Sequence, residues 1–448
     1  MIPRVARILS VLLFFPFFVL GLGLPVGNLQ AMPAVQRTVL PSGLVLLVSE
    51  EHSLPIVTFQ LLLEAGSWRD PRGKEGLANL TAKGLLLGTS KRPVTAINEE
   101  LDFMGASLHA SPGRDYATLS LRILKKDLDK GFDLFLESLT QPTFPESEIH
   151  REVERTLASI RSAEDEPHDV AAKAFQNALF GANPYGHPVE GTKDSLPKIT
   201  REDVVRFYQT YYHPNISILA VVGDITLQEV QAKLLPRLAQ WPMADVPKTP
   251  FTGTSAQGPE TIKIDRTLTQ STLLLGHAGV SRDNPDYYAL TTMNYLLGGG
   301  GFSSRLVNEI RTQRGLAYSV ASHFDPGKHP GSFQIVLQTK NASAREGIAL
   351  VRQQMERIQK EMVSEKELQS AKQYLTGSFP LRLGTQTRLA DFFVQMEYYG
   401  LGLDYPERYP SLIRSVTRED ILRVAQTYLH PEKLILVVVG NLKEAGLE

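Results

Sequence analysis

The chain has 448 residues, 42% of them hydrophobic and 21% charged, with a formal net charge of -1. The composition is globular, the length suffices for two or more domains, and the charge balance gives no support to a nucleic-acid or polybasic membrane partner. There is no cysteine, which excludes disulfides, thiolate metal sites, cysteine nucleophiles and a lipidated N-terminal cysteine.

At the N-terminus, Arg4 and Arg7 precede the apolar run ILSVLLFFPFFVLGLGLPV, and a short polar stretch follows that ends in NLQAMP. This pattern predicts a secretory signal over residues 1–31, with cleavage near Ala31. The run is also long enough to act as an uncleaved anchor. The expected location is therefore outside the cytoplasm, with a bacterial periplasm preferred.

Two apolar stretches, residues 43–51 (GLVLLVSEE) and 56–66 (IVTFQLLLEAG), read as strands. Residues 75–92 (EGLANLTAKGLLLGTSKR) open on a glycine and continue as an amphipathic helix. A shorter helix is expected from Ala96, then a hairpin from ASLHASPG (106–113) into DYATLSLRIL (115–124). A long helix follows over residues 148–166.

The clearest organisational signal is a repeat. TREDVVRFYQTYYHPNISILAVVGD (200–224) returns as TREDILRVAQTYLHPEKLILVVVGN (417–441) without a gap. Each copy has a threonine N-cap, acids in the first turn, a helix stopped by His-Pro, and an apolar strand ending at glycine. His213 and His430 sit at matching helix ends, where a cap is the simpler reading than a ligand. A weaker echo links residues 61–71 with 273–285. The segment 241–259 is rich in Pro, Gly, Ser and Thr. These signals predict an N-terminal domain over 32–241, a linker over 242–259 and a C-terminal domain over 260–448. The expected fold class is α+β, with two tandem homologous domains, each a largely antiparallel sheet with helices on one face.

GGGGFSSRLVNEIRTQRGLAYSV (298–320) resembles the C-terminal signature of pitrilysin/insulinase-type zinc peptidases, in their mitochondrial-processing-peptidase branch. GLANLTAKGLLLGT (76–89) fills the slot of that family's inverted zinc motif, H-x-x-E-H. LDFMGASLHASPGRDYATLSL (101–121) is similar to its edge-strand segment. The resemblance covers nearly the whole chain after residue 31. It implies that Asn79 stands for the first histidine, Ala82 for the general-base glutamate and Lys83 for the second histidine. The third ligand, a downstream glutamate, falls at Ala158 and Ser159. Zinc needs imidazole or carboxylate donors converging on one point, and the glutamate activates water. An amide, a methyl and an ammonium do neither, so no zinc and no hydrolysis are expected of this chain alone. Lys83 could put a charge where the metal would sit, but its simpler reading is an exposed lysine on a solvated helix face.

The same resemblance makes Arg311 and Tyr318 the family's Arg/Tyr pair, which holds substrate backbone and supports the oxyanion. Arg311 is expected near a helix end and Tyr318 at the start of the next strand. From spacing alone, Arg311 reads as a surface residue and Tyr318 as a core residue. His109 replaces the usual asparagine on the edge strand and is a weaker candidate for peptide contact. The Gly298–Gly301 run lacks the pattern of a phosphate loop and reads as a flexible entry to a helix. The resemblance implies a non-catalytic, substrate-binding subunit of an exported heterodimeric zinc peptidase, with the metal in a homologous partner and an unfolded peptide as substrate. A structural scaffold or a chaperone-like peptide binder of the same fold stands as the alternative.

Overall fold

The computed structural model describes residues 34–251, 253 and 258–448, so the targeting segment over residues 1–31 lies outside it. Two sheets organise the described residues. The first is built from β1 (Gln36–Val39), β2 (Val45–Glu50), β3 (Ile56–Leu63), β4 (Ser107–Ser111), β5 (Ala117–Leu124) and β6 (Ser217–Gly223), in the order β1-β2-β6-β3-β5-β4. The second contains β7 (Glu260–Asp265), β8 (Gln270–Ala278), β9 (Ala317–Asp325), β10 (Ser332–Lys340) and β11 (Ile435–Gly440), in the order β7-β11-β8-β10-β9. All neighbours are antiparallel except β2 with β6 and β7 with β11. The expected α+β class with largely antiparallel sheets is what the chain adopts.

The helices of the first half are α1 (Leu77–Gly84), α2 (Val94–Met104), α3 (Leu128–Thr140), α4 (Glu146–Ala163), α5 (Pro167–Phe180), α6 (Arg201–Tyr211) and the short α7 (Leu227–Glu229) and α8 (Leu235–Leu238). Those of the second are α9 (Tyr287–Asn294), α10 (Ala344–Lys360), α11 (Glu365–Ser378), α12 (Gln386–Tyr398), α13 (Tyr405–Arg414), α14 (Arg418–Tyr428) and α15 (Leu442–Ala445). The duplicated segment gives α6–β6 and α14–β11. Both helices open on the same capping box: Thr200 accepts from the Asp203 N–H and Asp203 accepts from the Thr200 N–H, and Thr417 and Asp420 repeat the exchange. Each following strand takes an interior place in its sheet.

Strand alternation sorts the side chains into layers. Val57, Phe59, Leu61 and Leu63 join Phe132 of α3, Val153 of α4 and Phe207 of α6 in one core. Leu273, Leu275, Leu436 and Val438 do the same with α9, α10, α11 and α14. The opposite faces of both sheets are also apolar, as expected of strands buried on two sides. Leu274, Val437 and Val439 pack there against Phe175, Leu179 and Phe180 of α5, a helix from the first half. In return α12, from the second half, packs on β6 and β3 of the first sheet. Helices thus cover not one face of each sheet but two, and each second face is closed by the other half. The sheets fall on either side of residues 242–259, but α5 and α12 cross over, and residues 34–448 form one compact unit.

The segment between the sheets is irregular in backbone and tied down along its described length. The Trp241 indole donates to Tyr212 O at 3.0 Å, Arg69 donates to Pro247 O at 3.0 Å, and Phe251 stacks on His329 with ring centroids 4.3 Å apart.

Candidate functional site

Helix α1 starts from an unusual residue. Gly76 has φ +97°, and a Cβ there would meet Glu190 O at 2.6 Å, so only glycine fits. The Asp70 carboxylate caps the helix, accepting from Gly76 N–H at 2.8 Å and Ala78 N–H at 2.7 Å. Burial drives the Asp70 pKa upward, against the lowering effect of these two bonds.

One turn later come the three motif positions. Asn79 and Ala82 are buried. Lys83 does not sit as a free lysine on a solvated face, which corrects the reading made from the sequence. Its Nζ lies 2.9 Å from Oε1 of Glu152 on α4, and Glu152 is only 3% exposed. Arg155 Nη1 meets the other carboxylate oxygen at 2.5 Å. A carboxylate buried this deeply is stable only with such partners. Ser159 lies two turns beyond Glu152 on the same side of α4, where the helix is exposed, and Ala158 beside it is exposed too. Asn79 Nδ2 and Thr156 Oγ1 are buried on the same two helices without a hydrogen-bond partner among the described residues.

At the Lys83 position the structure thus shows an ammonium–carboxylate pair. This donor set does not fit zinc: an ammonium occupies the carboxylate that faces α1, and the amide and the methyl add no anionic donor. Among the described residues no group of three or more His, Asp or Glu side chains is placed to hold a metal ion. Glu152 escaped the sequence reading, although a signal existed. It falls at the i+3 spacing of the apolar stripe Ile149, Val153, Thr156, Leu157, Ile160, which marks it as a buried acid in need of a partner.

The second half brings Arg311 and Tyr318 together. Arg311 lies in a wide, π-type helical segment, Val307–Gln313, and Tyr318 is the second residue of β9. Gly315 turns the chain between them with φ +64°, held by the Leu316 N–H donating to Ile310 O at 2.9 Å. The guanidinium sits 5.9 Å from the Tyr318 ring centroid and 5.0 Å from that of Phe302. Tyr318 is 74% exposed, so it is no core residue, and Phe302 is equally open. Phe302 was not singled out from sequence, since an apolar residue after four glycines reads as packing. No carboxylate pairs with Arg311 among the described residues. Its neighbour Arg314 is by contrast clamped by Glu309 at 2.9 Å and Glu346 at 3.3 Å.

His109 stands exposed on β4, an edge strand that pairs only with β5, and its ring has no partner among the described residues. The two His-Pro histidines diverge. His213 caps α6, with Nε2 2.7 Å from Gln209 O and Nδ1 3.0 Å from Pro242 O. His430 does not cap α14. Its backbone N–H donates to Nε2 of buried His277 at 3.2 Å, and its ring faces Glu432 at 3.4 Å.

Comparison with known proteins bears on the family and the fold. Residues 45–193 match the family model described as insulinase (peptidase family M16), and residues 198–375 match that described as the peptidase M16 inactive domain. An uncharacterized zinc protease of Streptomyces coelicolor is 28% identical over 92% of this chain and 90% of its own. A non-peptidase homolog of Helicobacter pylori is 25% identical over 93% of this chain and 96% of its own. A crystal structure described as a peptidase M16 inactive domain, from Pseudomonas fluorescens, is 29% identical and superposes with a TM-score of 0.86, covering 91% of this chain and 98% of that one.

Proposed function

Because the chain belongs to the M16 (insulinase) peptidase family but carries Asn79, Ala82 and Lys83 at the zinc-motif positions, we propose that it is a non-catalytic, substrate-binding subunit. In this reading it pairs with a homologous, zinc-carrying subunit outside the cytoplasm and binds an unfolded peptide with it. The observation that carries the proposal is the Lys83–Glu152 ion pair at 2.9 Å, which engages the lysine at one of the three motif positions, together with an Arg311–Tyr318 pair left open to solvent.

The division of labour follows from the donors. When bound in the partner, zinc would polarise the scissile carbonyl and activate water. Arg311 offers five fixed N–H donors and Tyr318 one O–H donor. Placed across the shared cavity, they would hold the peptide backbone and meet the oxygen on which negative charge develops. Each such preplaced donor contributes roughly 3 kcal/mol to a reaction of this kind. The N-terminal pattern of Arg4, Arg7 and the apolar run supports export.

Co-expression with a homologue that carries H-x-x-E-H tests the proposal. A quenched peptide is assayed with each chain alone and with the two together, and zinc is measured on each. Turnover is expected only from the pair, or far above that of the partner alone, with zinc in the partner only. Chelator-sensitive cleavage by this chain alone, or stoichiometric zinc in it, would sink the reading. Peptide binding by this chain with no effect on any partner's turnover would favour the chaperone-like alternative.

A further inference from the structure

The C-terminal half contains a second depression, separate from Arg311 and Tyr318. A cavity of about 840 Å³ opens between α9, the last turn of α11, the turn over residues 380–383, α12 and the start of α13. This volume suits a compact ligand or the end of a chain. Aromatic rings supply much of the wall: Phe379 stacks on Tyr409 with centroids 4.3 Å apart, and Tyr287 lies under the Arg282 guanidinium at 3.6 Å. Arg282 is engaged by the wall itself, donating to Tyr405 Oη at 3.0 Å.

Two other guanidiniums in the lining are not so engaged. Arg382 and Arg388 are exposed, and neither meets a carboxylate among the described residues. Arg388 donates to Leu381 O at 3.2 Å, which leaves its other donors available. The sole acid lining the cavity is Asp391, whose burial favours the neutral form. The lining is thus strongly cationic as well as aromatic. Ser378 and Tyr409 add hydroxyl oxygens buried without a hydrogen-bond partner among the described residues, groups that a bound ligand could satisfy.

A cationic mouth over an aromatic floor complements a carboxylate attached to an apolar body. We propose that this cavity binds the carboxyl-terminal end of a peptide whose last side chain is aromatic or large and apolar, with Arg382 and Arg388 holding the terminal carboxylate. Guanidinium–carboxylate pairing is geometrically matched, and bidentate in its best form. The position of the cavity favours a peptide over a free acid. Tyr374, 57% exposed in the lining, has its ring centroid 5.0 Å from that of Tyr295, and the Tyr295 hydroxyl meets Ser303 Oγ at 3.1 Å. Ser303 follows Phe302, the ring under Arg311. A continuous run of side chains therefore joins the cavity to the Arg311–Tyr318 surface. The inference rests on the peptide-binding reading above, and extends it to say which end of the peptide is read.

The test uses the full chain without any partner. Fluorescence anisotropy compares an N-terminally fluorescein-labelled octapeptide ending in Phe with a free carboxylate against the same peptide amidated. The free acid is expected to bind at least tenfold more tightly. The double variant R382Q/R388Q should erase that preference, and both positions are exposed, so the fold is not at stake. R311A should weaken both peptides while leaving their ratio unchanged. Competition by N-acetyl-phenylalanine at concentrations comparable to the peptide would assign the site to a small acid instead. Equal binding of acid and amide, no binding of either, or an unchanged preference in R382Q/R388Q would overturn the inference. A peptide that binds without end preference and depends on Arg311 would leave the subunit proposal standing while removing this one.

Discussion

Lys83 and Arg311 are the two cations on which the functional reading turns, one in each half, and the protein treats them in opposite ways. Lys83 is spent on a buried carboxylate 2.9 Å away and braces α1 against α4. Arg311 has no acid partner among the described residues, lies over two exposed rings, and has a neighbour, Arg314, that takes the nearby carboxylates. A charge that is neutralised inside the fold contributes to stability. A charge kept open, beside an aromatic residue that is 74% exposed, is available to something that arrives.

The comparison can be broken by measuring both outputs on both variants. The largest effect is expected from Arg311→Ala, which should lower turnover of the reconstituted pair about 100-fold while shifting stability by no more than about 0.5 kcal/mol. Lys83→Met should do the reverse. It leaves the Glu152 carboxylate with Arg155 alone, costs about 2 kcal/mol in urea denaturation, and leaves turnover of the pair near that of the parent. If the two variants traded places, the assignment of roles would be wrong.

A second asymmetry concerns His277. Counting from the matched sheet pairs Leu61–Leu219 and Leu275–Leu436, it stands where the first half has Leu63. Its Nε2 accepts the His430 N–H, so the proton sits on Nδ1, beside Ala278 O at 2.7 Å. Burial lowers its pKa to about 4. An unfolded histidine titrates near 6.5, so the unfolded chain binds more protons between pH 6.5 and 4. Stability is therefore full above pH 6.5 and declines as pH falls through that window, by about 2 kcal/mol between pH 7 and 5. Urea midpoints at the two pH values measure this, and His277→Gln, which keeps an acceptor for the His430 N–H, should flatten the difference. The smallest effect is expected at His109. On an exposed edge strand with a free ring, its replacement by Ala should change turnover of the pair by less than about twofold, and a larger loss would promote β4 to a substrate-contacting strand.

Much of this was legible in one dimension, because the signals were local. The 25-residue repeat carried caps, a proline stop and a strand, each of which depends on neighbours in sequence, and both copies fold alike. The pairing of Arg311 with Tyr318 came from the resemblance, whereas spacing alone put Tyr318 in a core where it does not lie. What stayed hidden was tertiary. Lys83 looked solvated because its partner lies 69 positions away on another helix. His430 looked like a cap because it stands, like its twin His213, at a helix end, yet its backbone N–H goes to a histidine on β8 that the first half lacks and its ring faces Glu432. The helices α5 and α12 were not singled out from the sequence, and nothing in the periodicity of either names the sheet that buries it.

The crossing of α5 and α12 has a temporal side. As the chain is synthesised, all six strands of the first sheet are in hand by residue 223, yet the helix that seals the rear of that sheet ends only at Tyr398. For nearly 180 further residues of elongation an apolar surface has no lid. Neither half should survive as a separately expressed fragment, and any holding factor that guards nascent chains has its longest task here.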